Sequence, residues 1–584
     1  MYQKYKDKNP QETVKTAQRI LNKWNISVEE IWYENLGNLY SLALQIEKTD
    51  FRTFGKGTSK EFALASAYGE MLERLQNMSF FRILGSSCLK DKNLYDDDTF
   101  IEKNMESDLF HEKIEKWLGK VGNNCRDNEF IKKLENFYKK TGRSIRFYHF
   151  RGFQDEEILD IPQEIIDIYY GTNGMAAGNT FYEAFVQGLS EILERFVIKK
   201  IMKEDIVPPD VTKYIMDKMP EAKKWICDIE SMGSYKIELK DLSLGMKIPA
   251  IGLILYNQKE ASYFVKVAVH PTQEVATERC FTELMQGQNI KDYFAMTNAE
   301  EFEFNIKDDK NLSEIFVYGS GRYPITLFAG EPSYEPYLPS KTYLNNEEMA
   351  RYLAKLVYDM GYRIYIYNAT KSDIFAYQII VPGMSEISNV LDDKVLDEYM
   401  EFEKIEDVIQ KGLNNITVDE ANDIILYIEK RKISGNTRLN YFLTDVRVND
   451  DCVYGMTTIN LFMCLLYMKV KKYDKASSWL EKYVNDLDRT NDISKYYYCF
   501  CLYLKLISKK VTKDVANEYI KKFYSNEIVE MINEDFCKNP FEAFAPLQCK
   551  SECKKCVHSA YCITQYEQSI YYNIRRNEKF LKEM

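Results

Sequence analysis

The 584 residues include 78 basic and 89 acidic side chains, which leaves a net charge of −11, and 45% of the residues are hydrophobic. This length predicts two or three domains with sizeable cores, and the composition excludes a mainly disordered chain. The acidic excess argues against a broad nucleic-acid-binding surface, whereas a nucleotide held through Mg²⁺ is compatible with it.

Helical and strand-like segments alternate through the first 387 residues. Residues 11–25 are predicted to be helical, "EIWYEN" and "LYSLALQIEK" to be strands, and Lys60 to Phe81 to be a helix. Further strands are predicted at "SIRFYHFRGF", "IPAIGLILY", "ASYFVKVAVH" and "YRIYIYNAT". The alternation indicates an α/β or α+β domain that ends near Ile387.

Strand signals become rare after Ile387, and long helical patterns dominate as far as Asp535. Within this region "KYDKASSWLEKYVNDL" has the Tyr-x-x-Ala spacing of a helix-turn-helix repeat of the TPR kind. A repeat array needs about three such units, so a helical bundle is an equal alternative. Residues 536–584 form a third, cysteine-rich segment.

The predicted helix after Lys60 carries a polar stripe. Residues spaced i, i+4 and i+7 share one face of a helix, and this spacing aligns Ser66, Glu70 and Glu73. Lys56 lies just upstream of this helix, between two glycines. The glycines indicate that this lysine stands in a loop. By itself, such a stripe is typical of a solvated helix face.

A second stripe follows the small-residue loop "GTNGMAAG". It runs along one predicted helix and consists of Asn179, Glu183, Gln187, Glu191 and Glu194. The positions between them are largely apolar, which predicts a buried helix. Because buried carboxylates repel one another and lose hydration, they need cations or protons as partners. The stripe therefore indicates a metal site.

A third stripe, in "HPTQEVATERCFTELMQGQNI", places Arg279, Glu283 and Gln286 on one helix face. Carboxylate and amide oxygens suit Mg²⁺, which is commonly shared between a protein and substrate phosphates. Lys56 and Arg279 could then neutralise phosphate charge directly. Together the stripes predict a Mg²⁺–nucleotide pocket without a Walker-type loop, because no GxxxxGK[ST] occurs. With four histidines in the chain and no Ser-His-Asp set, no catalytic side chain is assigned.

Three motifs, in this order along the chain, resemble the nucleotide-site motifs of the YcaO family: "SAYGEMLER", "AAGNTFYEAFVQGLSEILER" and "ERCFTELMQG". "IIVPGMSEI" adds to the resemblance at the end of the domain. The layout is most similar to the stand-alone enterobacterial type. The resemblance implies an α+β fold with an ATP-binding catalytic domain in residues 1–387 and a helical, TPR-like domain in 388–535. The cysteine-rich tail in 536–584 is the third predicted domain, and its metal site is predicted from the cysteine spacing alone.

The resemblance also implies roles for individual residues, carried over by position in the motifs. The Mg²⁺ ligands would be Glu70, Glu73, Glu183, Glu191, Glu194 and Glu283. The residues that contact ATP would be Lys56, Ser66, Asn179, Arg195, Arg279 and Gln286.

YcaO enzymes use ATP to activate backbone amides. A nucleophile adds to a peptide carbonyl, the oxyanion takes the γ-phosphoryl group, and phosphate then leaves. The resemblance implies a thioamide- or azoline-forming enzyme with a peptide or protein substrate, a sulfur donor or TfuA-like protein as partner, and a link to ribosomal protein methylthiolation. It leaves open whether the chain is a homodimer. Two alternatives are another ATP-dependent carboxylate–amine ligase and a nucleotide-binding adaptor.

The cysteine-rich tail predicts a second metal site. No apolar run could span a bilayer, and the charged start "MYQKYKDKNPQETVK" lacks a signal peptide, so we expect reduced thiols in the cytoplasm. Four cysteines then stand in a C-x3-C-x2-C-x5-C pattern that suits Zn²⁺ or an iron–sulfur cluster: Cys549, Cys553, Cys556 and Cys562. Free thiols or a redox pair are the alternative.

Overall fold

The computed structural model describes residues 5–81, 99–102, 107–122, 127–141, 145–287, 297–298, 306–307, 309–338, 343, 345–390, 393–443, 446–485, 487, 492–547, 556 and 559–583. These residues divide into two compact units. The first unit contains the described residues between 5 and 395 together with 570–583, and the second contains those between 396 and 569.

All thirteen strands of the described residues belong to the first unit, and every pairing between them is antiparallel. They form a three-stranded sheet (β1-β2-β3), a four-stranded sheet (β11-β10-β9-β8) and a six-stranded sheet (β4-β5-β12-β13-β7, with β6 beside β5). The strands are β1 Val28–Trp32, β2 Tyr40–Ile46, β3 Arg52–Gly57, β4 Thr99–Glu102, β5 Ile145–Gly152, β6 Ile158–Pro162, β7 Met175–Gly178, β8 Tyr235–Asp241, β9 Ala250–Asn257, β10 Ser262–Val269, β11 Thr297–Asn298, β12 Tyr365–Asn368 and β13 Phe375–Ile380.

The helices frame these sheets and continue through the second unit. They are α1 Pro10–Lys23, α2 Lys60–Gln76, α3 Ser107–Val121, α4 Asp127–Thr141, α5 Gln163–Ile165, α6 Phe181–Lys203, α7 Thr212–Lys218, α8 Pro220–Glu230, α9 Gln273–Leu284, α10 Asp309–Tyr318, α11 Asn346–Asp359, α12 Asp393–Gln410, α13 Val418–Arg431, α14 Val453–Met456, α15 Ile459–Lys469, α16 Tyr473–Asn485, α17 Asp492–Ser508, α18 Lys513–Ile520, α19 Asn526–Cys537 and α20 Thr564–Glu583. The expected α+β class is confirmed, and so is the helical character of the C-terminal region. None of the helices within the described residues is apolar over enough length to cross a membrane.

The structure corrects the local predictions for Lys56 and for the end of the helix that follows it. Lys56 lies on strand β3, which pairs with β2, and not in a loop. Gly55 is required for close packing and not for a turn. A Cβ at this position would stand 2.6 Å from the Cβ of Ala67, so only glycine lets α2 lie directly on the strand. The predicted helix from Lys60 to Phe81 ends at Gln76, and a single 3₁₀ turn follows.

Helix α6 is buried as its apolar positions predict. Its side chains Phe185, Leu189, Ile192, Leu193 and Val197 are almost inaccessible to solvent and belong to the core between the sheets and α11. The small-residue segment before the helix contributes strand β7, where the sequence indicated a loop. Because α6 has few solvent-facing positions, its polar residues must point into a cavity or pair inside the fold.

The second unit has a core of its own. Helices α15, α16 and α17 pack in succession, and α17 contacts both α18 and α19. Fully buried residues such as Phe462, Leu480, Tyr503 and Ile532 hold these helices together. This arrangement fits a helical bundle as well as a TPR-like one, so the repeat assignment stays a prediction, as do the bounds of the three predicted domains.

Candidate functional site

One cavity of about 1000 Å³ lies within the first unit. It is bounded by α2, β3, β7, α6, β10, α9 and α10, and by the segment that precedes α1. All twelve site residues predicted from the sequence line it: Lys56, Ser66, Glu70, Glu73, Asn179, Glu183, Glu191, Glu194, Arg195, Arg279, Glu283 and Gln286. The three polar stripes therefore face one another.

Helix α2 brings a carboxylate pair and an arginine to the cavity. The Ser59 side chain caps the helix by accepting from the Phe62 amide. Near the C-terminal end of the helix, the guanidinium of Arg74 lies 3.3 Å from Glu70 and 3.2 Å from Glu73. Burial raises the pKa of Glu73 to about 8 in spite of Arg74, because the carboxyl has lost its hydration.

The N-terminal end of α6 holds a buried carboxylate. Thr180 caps the helix, and its hydroxyl accepts from the Glu183 amide at 3.2 Å. The Glu183 side chain is 4% exposed and accepts from the Asn179 amide at 3.1 Å. Further along the helix Glu191 and Arg195 pair at 3.2 Å, and the Arg195 guanidinium lies 5.0 Å from the ring centroid of Phe316.

Among the cavity glutamates of the described residues, Glu194 is the one with a buried carboxyl oxygen that no hydrogen bond compensates. Its Oε2 atom is buried and has no hydrogen-bond partner among the described residues. Burial, followed by the charge of Glu283, raises its pKa to about 8, although Arg279 acts in the opposite direction. A buried carboxyl oxygen without a partner either keeps a proton or requires a cation.

Helix α9 also borders the cavity and contributes the carboxylate of Glu283. The Lys56 ammonium lies 3.0 Å from Glu283 and 2.7 Å from the amide oxygen of Gln286. Arg279 donates to Gln187 at 3.1 Å. Burial by itself would raise the pKa of Glu283, but the neighbouring ammonium and guanidinium groups hold it below its usual value. At pH 7 Glu194 is therefore largely protonated, whereas the cations beside Glu283 favour its charged form.

The segment before α1 is a part of the site that the sequence analysis missed. Lys6 pairs with Glu183 at 3.2 Å, and the Asp7 amide donates to the same carboxylate at 3.0 Å. On α1 itself, the Thr13 hydroxyl donates to Asn179 at 3.0 Å. Tyr5 and Lys8 also line the cavity. No local pattern could have predicted these contacts, because they join positions more than 160 residues apart.

The cavity has the donors that Mg²⁺ prefers, but the carboxylates are arranged around protein cations. Among the described residues, no three His, Cys, Asp or Glu side chains are grouped closely enough to hold a metal ion as they stand. Arginine and lysine side chains lie between the carboxylates instead. The partnerless oxygen of Glu194 is the feature that fits an added cation, since carboxylate oxygens are the usual ligands of Mg²⁺.

The predicted metal site in the tail lies largely outside the described residues. Cys549 and Cys553 are outside the described residues, and Cys556 is exposed. The backbone of Cys562 forms an isolated antiparallel β-bridge with Val448. Zinc or iron–sulfur binding there stays a prediction.

Comparison with known proteins identifies the family. A protein-family model described as YcaO cyclodehydratase, ATP- and Mg²⁺-binding, matches residues 54–385, which are more than half of the chain. A Haemophilus influenzae protein without an assigned function is 28% identical over 497 residues, which cover 81% of each chain. The ribosomal protein S12 methylthiotransferase accessory factor YcaO of Escherichia coli is 26% identical over 552 residues, covering 91% of this chain and 90% of the relative. Among solved structures, YcaO from Methanopyrus kandleri bound with AMPPCP and Mg²⁺ is similar over 68% of this chain and 94% of that one, with 15% identity and a TM-score of 0.44.

Proposed function

The chain belongs to the YcaO family, and from that premise we propose that it uses ATP and Mg²⁺ to activate a backbone amide of a peptide or protein for attack by a nucleophile. The observation that carries the proposal is the meeting of twelve polar and charged side chains on a single cavity: eleven from three separate motifs, and Lys56 from strand β3. A volume of about 1000 Å³ can accommodate a nucleotide together with part of a second substrate.

We propose roles for these side chains that follow their chemistry. The carboxylates that would hold Mg²⁺ are Glu70, Glu73, Glu183, Glu191, Glu194 and Glu283. The side chains that would contact ATP are Lys56, Ser66, Asn179, Arg195, Arg279 and Gln286. Bound Mg²⁺ would neutralise phosphate charge, and the lysine and arginine groups would keep the phosphates aligned for transfer.

In the proposed reaction a nucleophile adds to the carbonyl carbon of the amide. The carbonyl oxygen, now negatively charged, accepts the terminal phosphoryl group of ATP, and ADP leaves. The carbon–oxygen bond then breaks and releases phosphate. Phosphoryl transfer requires mainly positioning and charge stabilisation from the protein, so the lack of an assigned nucleophilic side chain is compatible with this chemistry.

The product within this proposal is a thioamide or an azoline, formed with a sulfur donor or with a side chain of the substrate. The name of the E. coli relative supports a role beside the modification of a ribosomal protein. We further propose that residues 1–387 carry the catalysis, and that residues 388–535 and the tail 536–584 recruit the substrate or a partner such as a TfuA-like protein.

Equilibrium binding tests the nucleotide site directly. We expect Glu191→Gln to lower the affinity for ATP in the presence of Mg²⁺ by about tenfold or more, because a Mg²⁺ ligand is lost. Glu204→Gln is the matched control: this glutamate caps the C-terminal end of the same helix and is exposed. Equal affinities of the two variants would contradict the site assignment.

Product analysis separates the proposed reaction from its alternatives. We expect ribosomal proteins incubated with the enzyme, ATP and sulfide to stimulate ATP hydrolysis and to gain a modified backbone amide, detected by mass spectrometry. A product that joins a free carboxylate to an amine would favour a ligase. ATP binding without turnover under these conditions would favour an adaptor.

A further inference from the structure

Lys266 is a cavity lysine that none of the three motifs contains. It lies on β10, an inner strand of the four-stranded sheet, and its side chain lines the cavity beside the predicted site residues. Five other cations that line the cavity each form an ion pair with a cavity glutamate: Lys6, Lys56, Arg74, Arg195 and Arg279. None of the ion pairs within the described part of the chain includes Lys266.

The surroundings hold the Lys266 ammonium in one place. It lies 4.8 Å from the ring centroid of Phe264 on the same strand. Gly319 ends helix α10 with φ +69°, and a Cβ at that position would stand 2.8 Å from the Lys266 nitrogen. Position 319 therefore requires glycine for two reasons: the backbone conformation and the space that the Lys266 ammonium occupies.

The electrostatic setting leaves this charge poorly compensated. Burial lowers the pKa of the Lys266 amine, because a charged group loses hydration inside the cavity. The carboxylates of Glu283 and Glu194 act in the opposite direction without reaching ion-pair distance. Lys8, the other cavity lysine without an ion pair among the described residues, stands on the segment before α1 and not on a buried strand.

We propose that Lys266 binds the phosphate chain of ATP. An ammonium that is held by its neighbours, faces a cavity and lacks a carboxylate partner is available to an incoming anion. The five paired cavity cations must first release or share a glutamate, whereas Lys266 needs no such release. A lysine ammonium acts as a compact point charge with three donors, which suits phosphate oxygens. This inference rests on the proposed function, since it requires that ATP occupies the cavity.

The test compares ATP with adenosine on the full-length protein. Lys266→Met removes the charge and keeps most of the length of the side chain. We expect the affinity for ATP in the presence of Mg²⁺ to fall by about tenfold, and the affinity for adenosine to stay within about twofold, because only the phosphates meet the ammonium. A general loss of structure would weaken the binding of both ligands.

Two further variants complete the experiment. Lys240→Met is the matched control: Lys240 is a buried lysine of strand β8 in the same sheet, paired with Asp210 and Glu238 and absent from the cavity wall. It should bind ATP as the unchanged protein does. Gly319→Ala keeps Lys266 but places a Cβ against its nitrogen, so it should also lower ATP affinity selectively, and it serves if Lys266→Met does not fold.

The outcomes distinguish this inference from the proposed function. If the unchanged protein binds ATP and the Lys266→Met and Gly319→Ala variants bind it equally well, Lys266 does not contact the phosphates, and the proposed function stands. If the unchanged protein does not bind ATP, the proposed function fails and this inference fails with it. Equal losses for ATP and adenosine would also overturn the inference, because they indicate a structural role.

Discussion

At the scale of single residues, Glu73 and Glu194 connect the cavity to solution pH. Burial raises the pKa of each carboxyl to about 8, so both groups are largely protonated at pH 7 in the free protein. A carboxyl must lose its proton to bind a divalent cation. We therefore expect the binding of Mg²⁺ and ATP to release up to about two protons at pH 7, and the affinity to rise with pH until about 8.

Calorimetry in buffers of different ionisation enthalpy measures this proton release. The observed binding enthalpy should change with the buffer, and Glu73→Gln should reduce the change by about half, because one of the two titrating groups is gone. A binding enthalpy that does not depend on the buffer would contradict the linkage.

His270 gives a second dependence on pH, in this case of stability. The ring is 4% exposed, its Nδ1 atom accepts from the Thr272 amide at 3.0 Å, and the Tyr5 ring meets it edge-on. Burial, followed by the charge of Arg279, lowers its pKa to about 3. Because the unfolded chain takes up a proton below pH 6.5 and the folded one does not, stability is lost as the pH falls.

Between pH 6.5 and pH 5 this group should cost the folded state about 2 kcal/mol. We expect the midpoint of thermal unfolding to fall more steeply over this range in the unchanged protein than in His270→Gln, which has no titrating ring. Parallel pH profiles of the two proteins would show that the ring is not held neutral.

At the scale of elements, the sequence predicted what depends on local geometry. The stripe of Asn179, Glu183 and Glu191 could be read from the helical repeat alone, and the apolar positions between them predicted burial. The glycines of β3 and β7 indicate loops in the sequence, whereas in the structure they allow close packing of helices on the strands. Lys6 and Lys266 were missed, since a single lysine on a strand or before a helix carries no pattern that points to a distant partner.

Gly55 is the clearest case of such a packing glycine. A Cβ there would stand 2.7 Å from the Ala67 amide nitrogen, so α2 would have to move away from β3. We expect Gly55→Ala to destabilise the protein by about 3 kcal/mol and to lower ATP affinity, because Glu70 and Glu73 move with the helix. Thermal unfolding and equilibrium binding measure the two effects.

The control for this substitution is Gly119→Ala in α3. A Cβ at that position meets no heavy atom within 4 Å, and alanine favours a helix over glycine. This variant should be more stable by about 0.5–1 kcal/mol, with unchanged ATP affinity. If Gly55→Ala behaves in the same way as Gly119→Ala, the close approach of α2 to β3 is not required.

At the scale of the whole molecule, the first unit contains residues from both halves of the sequence. The described residues 570–583 belong with those between 5 and 395, although residues 396–569 of the chain lie between them. Composition and motif order suggest consecutive domains, so this return of the chain could not be predicted. Tyr571 is one residue that joins the two parts of this unit. Its ring contacts the ring of Phe81 edge-on, with centroids 5.6 Å apart, and Phe81 lies just after helix α2.

Tyr571 therefore offers a test of how the last helix supports the site. Its side chain is 3% exposed, and the Arg575 guanidinium lies over its ring. We expect Tyr571→Ala to destabilise the first unit by about 3 kcal/mol, since it leaves a cavity beside Phe81. Arg576→Ala, an exposed position on the same helix, should leave the thermal midpoint unchanged. If calorimetry finds that both variants unfold at the temperature of the unchanged protein, the last helix contributes nothing to the unit that holds the cavity.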